Sequence, residues 1–245
     1  MLEPEGGAAM IYLNSLIFLA FAILLAVPLA WRGIGRWRVW LALIAGGAIF
    51  VIIWYTQTPI QNWLIQWSQQ QNALFQALLL GLLNGLWQEG FRFAGLWAYG
   101  LVLKPRDWPW AGAAFGLGFA ATESVFILFQ LESAAADSGL SLTPSLLFAD
   151  ALPLTVERLV LTAFSVSISV LLGIGFLRHR PAGYFVLALL IHFALSFFAL
   201  YRRQWGLSIW TTLVIVGAIA LSFYLWAWVA SARLNQETIV ATGRK

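Results

Sequence analysis

The sequence predicts an all-α protein, a polytopic membrane helix bundle of about seven transmembrane helices in one domain over residues 1–245. Hydrophobic residues make up 61% of the chain and charged residues only 10%, which is more apolar sequence than a soluble core needs. The apolar runs are also long enough to cross about 30 Å of hydrocarbon as helices. No polar segment between them is long enough to fold separately, so we expect a single integral membrane domain.

The predicted spans follow the apolar runs in chain order. They cover residues 10–31, 39–56, 73–103, 110–131, 150–177, 182–201 and 207–230. The first run is too long for a signal-peptide core and has no basic leader, so we interpret it as a span. Residues 57–72 are uncharged and rich in Gln, with Trp63 and Trp67 one turn apart, a pattern typical of a short interfacial helix. We expect a polar loop over 132–149 and a frayed tail over 231–245.

Lys and Arg in short loops predict the orientation, because cytoplasmic loops are enriched in these residues. With the N-terminus outside, the inner segments hold Arg32, Arg36, Arg38, Lys104, Arg106, Arg178, Arg180, Arg233, Arg244 and Lys245. Arg202 and Arg203 fall on the opposite side. We therefore expect an integral protein of a prokaryotic plasma membrane, with a cytoplasmic C-terminus. The net charge of +4 is this orientation signal and predicts no nucleic-acid partner, and the lack of cysteine excludes disulfides and Cys-ligated metal.

The third predicted span carries unusual polar residues. Asn84, Gln88 and Arg92 are four residues apart and share one helical face, and Glu89 lies three residues before Arg92. Charged groups at mid-membrane cost at least about 2.5 kcal/mol, so they face a protein interior or a wet cavity. Two interpretations follow: a self-neutralising Glu89–Arg92 pair that holds helices together, or a functional site.

Polar residues of other spans reach the depth of Glu89. Glu123, Ser165 and His192 lie with it in one layer, roughly 16–23 Å above the inner face. The same layer contains Gln88, Arg92 and Ser196. A His and two carboxylates at one depth indicate a site for a divalent cation or an activated water.

The fourth span begins with small residues that predict close packing. Gly112, Gly116 and Ala120 are four residues apart, and such spacing lets another helix approach closely. We therefore expect the third to sixth spans to surround one polar cavity. Glu157 and Arg158 lie higher, roughly 30 Å up. As sequence neighbours they are not expected to pair face to face, and we expect them to snorkel to the outer surface.

Four short segments match known motifs in order and spacing over residues 74–200. They are Gln88-Glu89-Gly-Phe-Arg92, Gly116-Leu-Gly-Phe-Ala-Ala-Thr-Glu123, Glu157-Arg158 and Leu190-Ile-His192. They resemble, respectively, the Glu-Glu-x-x-Arg/Lys motif, the Gly-x-Gly-(His or Phe)-x-x-x-Glu motif, the Glu-Arg segment and the final His motif of the YhfC and PrsW families of intramembrane metalloproteases. These families belong to the wider CAAX-protease-like superfamily.

The resemblance implies hydrolysis of a peptide bond in or beside the membrane, with a membrane protein or peptide as substrate and lipids as surroundings. Glu89 would be the general base, and Arg92 would orient it or stabilise the oxyanion. Glu123 and His192 would bind a divalent metal, with zinc as the expected ion. The substrate would contact Asn84, Gln88, Ser165 and Ser196.

The motifs also depart from the family pattern. Gln88 replaces the first Glu of the pair, Ser165 stands at a His position, and Ser196 stands where Asn or Asp is usual. One imidazole and two carboxylates are a poor set for zinc hydrolysis. Two alternatives therefore stay open: a catalytically degenerate member that acts as a membrane scaffold or accessory subunit, and a small-solute carrier. Against the carrier, the sequence has no inverted repeat and no paired broken helices.

Overall fold

The computed structural model describes residues 36–103, 108–137, 144–202 and 204–241, and within these ranges the regular structure is all helical. It contains α1 (Trp37–Ser68), α2 (Ala73–Leu103), α3 (Trp108–Asp137), α4 (Pro144–Leu177), α5 (Pro181–Tyr201) and α6 (Ile209–Ala241). The all-α prediction is confirmed. The first predicted span, residues 10–31, lies outside the described residues, so the total of seven stays a prediction.

Five helical segments are long and apolar enough to cross a membrane, as expected of an integral membrane protein. They are Trp37–Ser68, Trp108–Ile127, Thr155–Leu177, Pro181–Tyr201 and Ile209–Leu234. α2 has 31 residues and is long enough, but its polar residues make it less apolar than these five. Its outward face is nevertheless apolar, since Leu78, Leu82, Leu86 and Trp97 are 41–54% exposed. α2 therefore has apolar side chains on its outer face and polar side chains on its inner face.

The prediction of a short interfacial helix over residues 57–72 is wrong. α1 continues without a break through Pro59 to Ser68. Gln57 is buried and donates from Nε2 to Asn84 Oδ1 at 2.7 Å, so α2 rather than interfacial water satisfies its amide. The chain then turns, and Asn72 caps α2 by accepting a hydrogen bond from the Phe75 N–H at 2.7 Å.

Helices α3, α4 and α6 extend beyond their predicted ends. α3 continues to Asp137 and α4 begins at Pro144, so the loop predicted over 132–149 is much shorter. α6 continues to Ala241, so most of the tail expected to fray is helical. Apolar runs mark the membrane-embedded part of a helix, whereas intrahelical hydrogen bonds continue into water.

Small residues allow the helices to pack closely. A Cβ atom at Gly116 would lie 2.6 Å from the Ser165 carbonyl oxygen, and Gly112 is similarly close to the backbone of Ser169. The small face predicted on the fourth span therefore packs against α4. Gly46 of α1 meets the backbone of α3 in the same way. α4 is the most buried of the five apolar segments, and it contacts α3, α5 and α6.

Helices α2 and α5 are antiparallel and in close contact. Gly81 lies beside Phe197, and Gly85 lies beside Phe193, so rising residue numbers on α2 meet falling numbers on α5. Successive helices thus alternate in direction. The α1–α2 turn and the α5–α6 connection share one end of the bundle, called here the Arg202 end.

Candidate functional site

The centre of the bundle contains a buried cluster of Glu89, Arg92 and His192. Glu89 is completely buried and Arg92 is 1% exposed. Glu89 Oε1 lies 2.6 Å from His192 Nδ1 and 3.0 Å from Arg92 Nη1. Opposite an ionised carboxylate, which only accepts hydrogen bonds, the matching tautomer of His192 has Nδ1–H as the donor to Glu89. The contact between α2 and α5 at Gly85 brings these residues together.

Arg92 is held from two sides. Its guanidinium lies 4.2 Å from the centroid of the Phe119 ring, a cation–π contact from α3, while Glu89 accepts from its Nη1. The buried Arg92 Nε has no hydrogen-bond partner within the described part of the chain. This arrangement fixes the cation but leaves the buried Nε without an acceptor among the described residues.

A second ionic cluster centres on Arg158 of α4. Its Nη2 lies 2.9 Å from Glu157 Oε1, and its Nη1 lies 3.6 Å from Glu123 Oε1 on α3. The prediction that Glu157 and Arg158 do not pair is wrong, because the long Arg side chain reaches its sequence neighbour. The prediction that Arg158 snorkels outward is also wrong, since it is 7% exposed and occupied by two carboxylates.

A polar cavity of about 300 Å³ lies between α2, α3, α4, α5 and α6. Its polar lining consists of Asn84, Gln88, Arg92, Glu123, Glu157, Ser165, His192, Ser196, Arg202 and Thr212. The predicted third to sixth spans thus surround one cavity, and α6 adds a further wall. The lining runs along α5 from His192 to Arg202, about 15 Å, so the cavity reaches the Arg202 end.

Every predicted site residue lines this cavity except Glu89, which lies behind His192 and Arg92. Ser165 also has a packing role, because its hydroxyl donates to the Gly116 carbonyl at 3.2 Å. Gln88 and Ser196 lie in the wall, and the described residues form no hydrogen bond with either side chain.

The donor set does not fit the predicted metal site. Among the described residues, no three His, Asp or Glu side chains are grouped so that they could hold a metal. The two expected ligands have different partners: Glu123 lies beside Arg158, and His192 bonds through Nδ1 to Glu89. His192 Nε2 remains, and a single nitrogen is too few donors for a four-coordinate zinc site.

Five residues near the site were not predicted from the sequence as site residues: Gln57, Glu157, Arg158, Arg202 and Thr212. Gln57 was assigned to an interfacial helix, although it lies one residue beyond the predicted end of a span. Extending that span by one turn would have brought it into a helix facing α2. Arg158 was assigned to the outer surface, whereas its guanidinium lies between Glu157 and Glu123. Thr212 has no sequence signal, since a single Thr in an apolar helix is common.

The fold and the site together define an all-α protein with helices of membrane-spanning length, which buries two ionic clusters around a polar cavity. Comparisons of the chain with protein-family models, with curated proteins and with solved structures gave no match. The resemblance to the YhfC and PrsW families therefore rests on the four sequence motifs alone.

Proposed function

We propose that the protein is a membrane-embedded hydrolase of the YhfC/PrsW-like kind, which cleaves a peptide bond in or beside the membrane. The observation that supports this proposal is the 2.6 Å hydrogen bond between Glu89 and His192 at the wall of a polar cavity. A buried carboxylate that accepts from one imidazole nitrogen fixes the tautomer and makes the other nitrogen a base.

The proposed step uses His192 as the general base. Nε2 takes a proton from a water molecule as the water oxygen attacks the peptide carbonyl carbon, and it then gives that proton to the departing amine. Glu89 orients the imidazole and stabilises the transient imidazolium. This differs from the expected role of Glu89 as base, because Glu89 is completely buried and does not line the cavity.

The proposal includes a setting in the membrane. We infer seven spans in a prokaryotic plasma membrane, with the N-terminus outside and residues 10–31 as the first span. The Arg202 end of the cavity then opens toward the outside, and water and substrate reach His192 from there.

His192→Asn tests the proposal. The Asn amide nitrogen occupies a position similar to Nδ1 and keeps a donor for Glu89, whereas the base Nε2 is removed. We expect the native protein in proteoliposomes to cleave some members of a set of quenched fluorescent transmembrane peptides. The cleavage rate of His192→Asn should be at least about 100-fold lower. Ser222→Ala, a small change on the exposed face of α6 outside the cavity, is the control.

New peptide termini identified by mass spectrometry would locate the cleaved bond. Equal cleavage by the native protein and His192→Asn would contradict the assignment of the base. Absence of cleavage across the whole set would contradict the hydrolase proposal itself.

A specific observation favours a non-enzymatic scaffold as the second candidate. Arg158 pairs with Glu123 across the α3–α4 interface, and Glu89 bonds to His192 across the α2–α5 interface, so both ionic clusters fix how helices meet. In a scaffold, His192→Asn removes no activity. Only the polar cavity supports the alternative of a small-solute carrier.

A further inference from the structure

The α2 wall of the cavity carries a row of hydrogen-bond donors. Asn84, Gln88 and Arg92 all line the cavity and repeat every four residues, about 6 Å apart along the helix axis. In the described part of the chain, no hydrogen bond uses Asn84 Nδ2 or the Gln88 amide. These groups are therefore available to a molecule in the cavity.

Gln57 determines which end of the Asn84 amide is available. Gln57 is 6% exposed and donates from Nε2 to Asn84 Oδ1 at 2.7 Å. The Asn84 oxygen therefore faces Gln57 on α1, and its Nδ2 donor is left for the cavity. Gln57 thus presents Asn84 as a donor.

Arg92 adds a donor that lacks an acceptor. Its Nε is buried without a partner in the described residues, although the residue lines the cavity. A ligand carbonyl beside the guanidinium would give this cation an acceptor in addition to Glu89. The regular spacing of these donors therefore suits a ligand whose hydrogen-bond acceptors are equally spaced.

We propose that the cavity binds an extended peptide segment whose alternate backbone carbonyls accept hydrogen bonds from Asn84, Gln88 and Arg92. Carbonyls on the same side of an extended chain repeat every two residues, about 6.6 Å, close to the spacing of the donors. The opposite walls carry apolar Val160, Leu161, Leu195 and Leu213, which suit small apolar side chains. This inference rests on the proposed function and names its substrate as an unfolded, apolar stretch of chain.

The row also sets the register of the peptide. Arg92 shares Glu89 with His192, so the carbonyl bound at Arg92 is the one nearest the imidazole. The cleaved bond therefore lies at the Arg92 end, and Asn84 binds a carbonyl four residues away. Asn84 is a specificity-determining residue that does not touch the reacting atoms.

Binding of a fluorescein-labelled Ala-Leu hexapeptide amide to the full chain in nanodiscs tests this inference, with empty nanodiscs as the blank. Asn84→Asp still accepts from Gln57 but offers an oxygen to the cavity, and we expect about tenfold weaker binding by fluorescence anisotropy. Gln57→Glu accepts from Asn84 Nδ2, turns the Asn84 oxygen inward, and is expected to weaken binding similarly. Ser222→Ala, on the exposed face of α6 outside the cavity, is expected to bind like the native protein.

A backbone scan of the same hexapeptide gives an independent readout that does not depend on variant folding. Alkene isosteres that replace peptide bonds remove carbonyl acceptors one at a time. We expect alternate positions to weaken binding by about tenfold and the positions between them to change it little. Uniform effects along the peptide would overturn the inference.

The outcomes separate this inference from the proposed function. Alternating peptide binding without any cleavage would leave the inference standing and overturn the hydrolase. Cleavage by the native protein, together with peptide binding that Asn84→Asp and Gln57→Glu do not weaken, would support the hydrolase and overturn the inference.

Discussion

Glu89 Oε1 lies 2.6 Å from Nδ1 of His192, although 103 residues separate them in the chain. The same oxygen lies 3.0 Å from Arg92 Nη1, so one carboxylate binds two partners. Glu89 itself is completely buried. The stability of the bundle and the chemistry of the cavity therefore depend on the same group.

Glu89→Gln is expected to destabilise the protein whether or not it is an enzyme. The change leaves Arg92 buried without a counter-charge, and breaking a buried pair typically costs about 3–5 kcal/mol. A lower midpoint of thermal unfolding in detergent is the measurement.

A double variant is the control for this prediction. Glu89→Gln with Arg92→Met removes the stranded cation and should recover much of the lost stability, because buried pairs are often replaced by apolar groups at little cost. If the single variant unfolds at the native temperature, Glu89 and Arg92 do not form a buried pair.

Gly116→Ala is expected to separate α3 from α4. An added Cβ would lie 2.6 Å from the Ser165 carbonyl oxygen, and overpacking of this kind typically costs about 1–3 kcal/mol. Gly183→Ala is the matched control, since a Cβ there meets nothing within 4 Å. Equal thermal stability of the two variants would show that α3 and α4 are not packed this closely.

The polar layer could be predicted from the sequence because depth and helical face follow from residue number. Those two quantities placed Glu89, His192 and Ser165 around one cavity. They do not determine which side chain contacts which, because that depends on rotamers and on the rotation of each helix. Glu123 therefore shares the cavity with His192 yet pairs with Arg158, and the two expected ligands have different partners.

Gln57 was missed for a different reason. A Gln-rich, uncharged segment with two Trp residues is typical of a membrane interface, and its hydropathy favours that assignment. The partner that makes burial of Gln57 favourable is Asn84, which lies 27 residues away and is recognised only once α1 and α2 are paired. The local sequence pattern predicts that Gln57 lies at the membrane interface, whereas its contact with Asn84 places it inside the bundle. The structure follows the contact.

Arg158→Met is expected to loosen the α3–α4 interface at the cavity. Glu123, whose side chain is 18% exposed, loses its only cation among the described residues. Glu157→Gln should change stability much less, because that side chain is 39% exposed and water screens it. Thermal unfolding of the two variants side by side is the test, and a larger effect of Glu157→Gln would contradict the arrangement.

Metal content is expected to be below one ion per chain. The donors near His192 are not grouped, and zinc needs about four ligands. Elemental analysis of the purified protein should give the same value for the native chain and His192→Ala. One equivalent of zinc that disappears in His192→Ala would contradict this prediction and restore the predicted ligand set.

Single cysteines at positions 138 and 180 are expected to label from opposite sides of the membrane. α4 lies between them and has 34 residues, about 50 Å of helix, more than the roughly 30 Å of hydrocarbon. The native chain has no cysteine, so Ser138→Cys and Arg180→Cys give signals without background. The basic residues predict that position 138 faces outside and position 180 faces the cytoplasm. An impermeant maleimide added to intact cells should therefore label only Ser138→Cys, and lysis should expose Arg180→Cys. Labelling of both positions in intact cells would contradict a membrane-spanning α4, whereas a reversed pattern would contradict only the orientation.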